Sequence, residues 1–327
     1  MTTTPSTSLY PIRFEAQNIP RIWGADHLGA PRNGVPIGER WLLSPLPSKE
    51  TLVANGELAG MTPSQLVVRY GASLLGKRGS WADLPLVKWI DSDHPLSFQV
   101  HPNDLLARQL GEPHGKSEMW YILDATPDAK IYVDTPAPLS LTDLKQVVAD
   151  GALEQTLTVY HPTPGELYYV PGGVLHAIGG GIQLIEIQQP SDTTYRLYDW
   201  ERTDANGLSR PLQLDLAYRA YDPKARAKVV AATKGAGLLP IGFHEPPFSF
   251  TSYLLASNET HGVTYHTTAH IYLASRPIRL RWTSPLGAEQ EESLPAMTPV
   301  LLPAVIASYS FCAEQPQTLL LEFMLCG

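Results

Sequence analysis

Short apolar runs, repeatedly broken by Pro and Gly, dominate the pattern of this chain and favour short strands over long helices. Residues 1 to about 60, with IPRIWG and GVPIGERWLLSPLP among them, read as strands joined by turns. A helix is expected next. Thr62 suits its N-cap and Pro63 its first position, and Leu66, Val67, Tyr70 and Leu74 recur at helical spacing. PLVKWIDS and PLSFQVHP predict strands, followed by a short helix from Asp104 to Leu110 that Gly111 closes. Further helices are expected over Thr142 to Asp150, ending at Gly151, and over about Leu212 to Arg219, with short strands over 155–200.

The segment KARAKVVAATKGAGLLP, residues 224–240, is small, basic and Gly-containing and predicts a linker. Beyond it, SFTSYLLAS, HIYLAS, IRLRWTS, PVLLPAVIASYSF and TLLLEFML read as stacked strands. PGELYYVPGGVLHAI and AMTPVLLPAVIASYSF share a strand, Pro, turn, strand outline, as two copies of one barrel would, the second without the His. The expected architecture is mainly β with a few short helices. Residues 1–225 would form one domain with helical insertions and 240–327 a second, all-β one.

Length supports that division, because 327 residues exceed what one minimal core needs. A formal charge of −8 argues against a nucleic-acid partner, although a few Lys or Arg in a pocket suffice to bind one phosphate ester. Cys312 and Cys326 are the only cysteines, so neither a disulfide framework nor a Cys-rich zinc site is available. A reducing cytoplasm is the expected location. MTTTPSTSLYPIRFE lacks the basic start and apolar core of a signal peptide, and no run approaches the roughly 18 apolar residues that span a bilayer.

The chemistry is concentrated in a few positions. Ser97, Gln99 and His101 alternate with Phe98 and Val100, so a strand would put the polar residues on one face; the alternative is an ordinary solvated face. Glu118 shares a face with Trp120 and Ile122, and Lys116 extends the row, although a plain surface edge has the same pattern. His176 is the sharper signal, since Gly165, Pro171, Gly173 and His176 fall at the spacing of the second cupin motif, whose His ligates a metal. Two His, one Glu and the Gln99 amide oxygen make a nitrogen and hard-oxygen donor set that zinc accepts, with Fe, Mn and Co also compatible. Leu184, Glu186 and Gln188 alternate with Ile185 and Ile187 in GIQLIEIQQ, and a buried structural salt bridge from Glu186 to Arg196 competes with a catalytic role.

Together IGERW, PLVKWID, LSFQVHPND, GKSEMWYI, YYVPGGVLHAIGGGI and IQQPSDTTYRLYDW resemble the type I mannose-6-phosphate isomerases in their short bacterial form, in order from about Ile22 to Asp222. The resemblance implies two cupin-type jelly-roll barrels, the first catalytic and the second metal-free. It implies one zinc ion per chain on Gln99, His101, Glu118 and His176, catalytic roles for Arg196 and Glu186, and a substrate pocket lined by Lys116, Lys88 and Ser97. The implied reaction interconverts mannose 6-phosphate and fructose 6-phosphate through an enediol, with Glu186 or a metal-bound water as base. The expected partner is a small sugar phosphate, with no nucleic acid or membrane, and the chain would be a monomer or weak homo-oligomer. GKSE departs from the commoner GKTE but keeps the hydroxyl. His266 and His270 have no carboxylate nearby in sequence, so packing or exposure is expected for them. Rival readings are a metal-binding cupin of another enzyme class, against which Lys116 and Arg196 argue, and a non-enzymatic sugar-phosphate sensor.

Overall fold

The computed structural model describes residues 8–76, 84–203, 207–232, 241–264 and 267–325. It is mainly β, with short helices. Its contacts divide the chain into two compact units, Gln17–Trp41 with Leu86–Ala232, and Met1–Ala16 with Leu42–Pro85 and Thr233–Gly327. This differs from a single cut near residues 225–240. The physical reason is strand pairing: Ile12–Glu15 adds to the sheet of the C-terminal strands, with Ile12 opposite Leu301, and Leu52–Val53 pairs on its other side.

In the unit built around Leu86–Ala232, one sheet runs in spatial order Lys228–Val230, Leu167–Val170, Glu118–Ala125, Ile182–Gln188, Leu86–Ser92, Ile37–Leu43 and Gln17–Pro20. The second sheet runs Tyr195–Tyr198, Phe98–Val100, His176–Ile178, Ile131–Val133 and Val159–Tyr160. Side-chain alternation sorts their residues. Ile90, Trp120, Ile122, Ile131, Val133, Tyr168, Val170, Ile178 and Leu184 form one buried apolar cluster. The same faces of the same strands carry Lys88, Glu118, His176 and Glu186, so the interior is apolar along part of each strand and polar along the rest.

The opposite face of the smaller sheet supports its position. Phe98, Val100, Tyr132, Ala177, Tyr195 and Leu197 pack with Leu144, Leu153, Ala217 and Ala220 from helices Leu141–Ala149, Leu153–Thr156 and Leu214–Ala220. Truncating a fully buried aromatic such as Phe98 to Ala costs about 3–5 kcal/mol, so this layer strongly fixes where Gln99 sits.

The other unit also has two antiparallel sheets, one extended by Ile12–Glu15 and Leu52–Val53, around a core that includes Tyr272, Leu280, Val300, Phe311 and Leu320. Its helix Pro63–Tyr70 begins as expected: Thr62 and Gln65 form a reciprocal capping box and Pro63 occupies the first turn. His270 differs from expectation, because its Nδ1 lies 2.6 Å from Glu322 Oε1 on Thr318–Leu325. The partner is 52 positions away, which local sequence does not reveal. His266 lies outside the described residues. The single-turn helix Leu153–Thr156 was not expected, since four residues are too short to display a helical period.

Candidate metal centre

The loop after Phe98–Val100 is clamped between two glycines. A Cβ on Gly115 would stand 2.6 Å from the Asn103 carbonyl carbon, and one on Gly172 2.6 Å from the Pro102 oxygen. Their absent side chains let three segments meet. Lys116 N–H donates to Pro102 O at 3.0 Å and Gly173 N–H donates to His101 O at 2.8 Å. His101, Lys116 and the turn leading to His176 are thereby held together, with Gly173 at φ +99°.

His101, Glu118 and His176 converge, each offering a ligand atom within 4.8 Å of the others. All three are about 1% exposed. His101 Nε2 is 3.2 Å from Glu118 Oε1, and His176 Nε2 is 3.7 Å from Glu118 Oε2. The other ring nitrogens are occupied, Nδ1 of His101 facing Thr193 O at 2.8 Å and Nδ1 of His176 facing Val174 O at 3.0 Å. Carbonyls only accept, so Nδ1 of each ring carries the proton and Nε2 presents a lone pair inward. This outer hydrogen bond is what orients metal-ligating imidazoles. His176 Nε2 and Glu118 Oε1 are buried without a hydrogen bond, and orphaned acceptors at one point fit a bound cation. Gln99 lies directly opposite His176 and also opposite Arg196, which places its side chain on their face.

The electrostatics agree with an acceptor cage. Burial, reinforced by the Lys116 charge, pushes His101 down to about 3, and burial also lowers His176, so both rings are neutral. Burial pushes Glu118 upward, but the Lys116 charge beside it outweighs this and holds the carboxyl well below the usual range. Lys116 Nζ lies 2.6 Å from Glu118 Oε1, off the direction of a hydrogen bond, and 3.2 Å from His101 Nε2.

A second buried layer adjoins this one. Lys88 Nζ is 2.7 Å from Glu186 Oε2 and also donates to Gln188 Oε1. Trp120 Nε1 lies 3.2 Å from both Glu118 Oε2 and Glu186 Oε1 and so links the two carboxylates. Burial raises the Glu186 carboxyl, with Glu118 adding to it and Lys88 opposing. The ion-pair partner of Glu186 is thus Lys88, not Arg196. Arg196 is partly exposed with its Nε buried and unpartnered, and burial lowers its pKa, assisted by Arg210. Ser97 is buried, so the polar row it begins is not a solvated face.

Sequence reasoning passed over Glu39 and Arg21. Glu39 is the one carboxylate in the mostly apolar strand IGERWLL, the same kind of signal that singled out Glu186.

No family model matches the sequence. Individual relatives do. The chain is 35% identical over 209 residues to the mannose-6-phosphate isomerase of Streptococcus mutans, a match covering 63% of this chain and 66% of that protein, just under two thirds. It is 35% identical over 214 residues to the probable mannose-6-phosphate isomerase GmuF of Bacillus subtilis, covering 64% of this chain and 67% of that one. In three dimensions it matches the crystal structure of the mannose 6-phosphate isomerase from Bacillus subtilis with a TM-score of 0.83 and 27% identity, over 97% of this chain and 99% of that one. A relative 35% identical and covered over two thirds of its length, together with agreement in fold along nearly the whole chain, places this chain in the mannose-6-phosphate isomerase family.

Proposed function

We propose that this chain is a zinc-dependent aldose–ketose isomerase that interconverts mannose 6-phosphate and fructose 6-phosphate through an enediol. The observation that carries the reading is the buried convergence of His101 Nε2, Glu118 and His176 Nε2, with each Nδ1–H tied to a backbone carbonyl. His101, Glu118 and His176 would hold the ion, with Gln99 on the same face as His176 as a fourth donor. Zinc, when bound, supplies a Lewis acid that polarises substrate oxygens.

The remaining steps belong to side chains. Shifting a carbonyl between C1 and C2 requires removal of a weakly acidic carbon proton and its return to the neighbouring carbon. Glu186 is suited to carry that proton, because burial and the nearby Glu118 raise its affinity for a proton while Lys88 keeps it ionisable. Arg196, opposite Gln99 and with an unpartnered Nε, is suited to stabilise the developing enediolate. Lys116, 2.6 Å from Glu118, and the buried Ser97, two positions before Gln99, would orient the sugar.

A coupled assay for fructose 6-phosphate formation from mannose 6-phosphate tests this directly. Turnover should disappear on chelation and return on adding zinc. Binding without turnover in the zinc-loaded protein would favour a sensor, and turnover insensitive to chelation would remove the metal from the account.

A further inference from the structure

We infer that Arg21, clamped by the buried carboxylate of Glu39, forms an anion subsite at the rim of this barrel that takes the phosphate of the substrate. The inference rests on the proposed sugar-phosphate reading and adds to it a residue outside the metal cluster.

The geometry is that of a preset fork. Arg21 Nε and Nη2 donate to the two oxygens of Glu39, each at 3.0 Å, and Trp41 Nε1 donates to Glu39 Oε2 at 2.7 Å. Glu39 is buried, whereas the Arg21 side chain keeps 32% of its surface accessible. A guanidinium has five N–H groups in a fixed plane, and Glu39 takes only the Nε edge. The Nη1 edge faces a single long contact, 3.5 Å to Pro20 O, which leaves a fork of the shape that binds phosphate through two parallel bonds. Gly38 allows the Arg21 stem to lie flat on its strand, since a Cβ there would stand 2.6 Å from Arg21 Cβ.

Arg21 also shares its surroundings with the catalytic cluster. The Asp192 carboxylate acts on Arg21, Lys88 and Arg196 together, and the Arg21 charge is felt at Arg196. Asp192 directly precedes Thr193, whose carbonyl orients His101, so one short loop joins the rim to the metal ligands. Glu39 acts through Arg21 and is a positioning residue.

The test compares wild type with Arg21→Gln, Arg21→Lys and Glu39→Gln, all zinc-loaded, using mannose 6-phosphate turnover and inorganic phosphate as competitor. Arg21→Gln should raise KM for mannose 6-phosphate and Ki for inorganic phosphate by about tenfold or more, with kcat within about threefold of wild type. Glu39→Gln should shift both constants in the same direction by less. Unchanged KM and Ki in Arg21→Gln, or a loss of kcat at constant KM, overturns the inference. If Arg21→Gln does not fold, Arg21→Lys decides, because it keeps the charge but not the fork, and a wild-type Ki for phosphate then overturns it. If wild type does not isomerise mannose 6-phosphate, stabilisation of its melting temperature by inorganic phosphate that Arg21→Gln abolishes sustains the anion subsite while the substrate reading falls.

Discussion

Replacing Lys88 with Met would leave Glu186 as a buried carboxylate without its ion-pair partner. Lys88 and Glu186 side chains are 5% and 4% exposed and their charged atoms are 2.7 Å apart. Glu186 would keep only the Trp120 indole N–H, itself shared with Glu118. Breaking a buried pair from one side destabilises by about 3–5 kcal/mol, because the remaining charge is neither solvated nor matched. For a chain of 327 residues that corresponds to a fall of roughly 4–7 °C in Tm, taking about 2.1 cal/mol/K of unfolding entropy per residue. Removing both partners in Lys88→Met/Glu186→Leu should recover at least about half of the loss, since no charge is then stranded. The pH dependence has a definite sign. Without Lys88 the Glu186 pKa rises further, so the folded state binds the proton more tightly and the deficit shrinks as pH falls; it should be smaller near about pH 5 than near about pH 8. Urea denaturation of the single and double variants at both pH values measures this. A loss under about 1 kcal/mol in Lys88→Met, or a double variant less stable than the single one, would refute the reasoning.

Glu118→Gln should remove the anionic donor between the two imidazoles, lowering bound zinc well below one equivalent and turnover by about a hundredfold or more; unchanged zinc content measured by plasma emission would count against the assignment. Gly172→Ala forces a Cβ to 2.6 Å from Pro102 O and should destabilise the protein by about 1–3 kcal/mol while weakening metal retention, checked by denaturation and by zinc release to a chromogenic chelator. Glu322 is pushed upward by burial but held down to about 2 by His270 and Tyr272, so its stabilising contribution is full above the ordinary carboxylate pKa of about 4.5 and fades as pH falls toward 2. Glu322→Gln should accordingly flatten the loss of stability between about pH 4.5 and pH 2, and an unchanged acid limb would contradict that ion pair.

Local pattern brought out the residues of the buried cluster because strand alternation carries chemistry in its period. Ser97, Gln99 and His101 share a face for the same steric reason that Phe98 and Val100 share the other, and a turn of Pro171, Gly172 and Gly173 announced the His176 strand. What stayed hidden was pairing across the fold. Glu186 meets Lys88 because Ile182–Gln188 lies antiparallel to Leu86–Ser92, a register that no single segment encodes. The same holds for His270 with Glu322, and for Ile12–Glu15, whose place beside Val300–Leu302 makes one compact unit discontinuous in sequence. Among the described residues no helix is long and apolar enough to cross a membrane.

Anomalous diffraction from crystals of the zinc-loaded protein at the zinc absorption edge tests most directly whether one ion is held inside the first barrel. The expected map has a single strong peak within about 2.0–2.2 Å of His101 Nε2, His176 Nε2 and a Glu118 oxygen, with the Gln99 amide oxygen turned toward it. A crystal that carries one equivalent of zinc but shows its peak elsewhere, or with these three side chains turned away, would contradict the account.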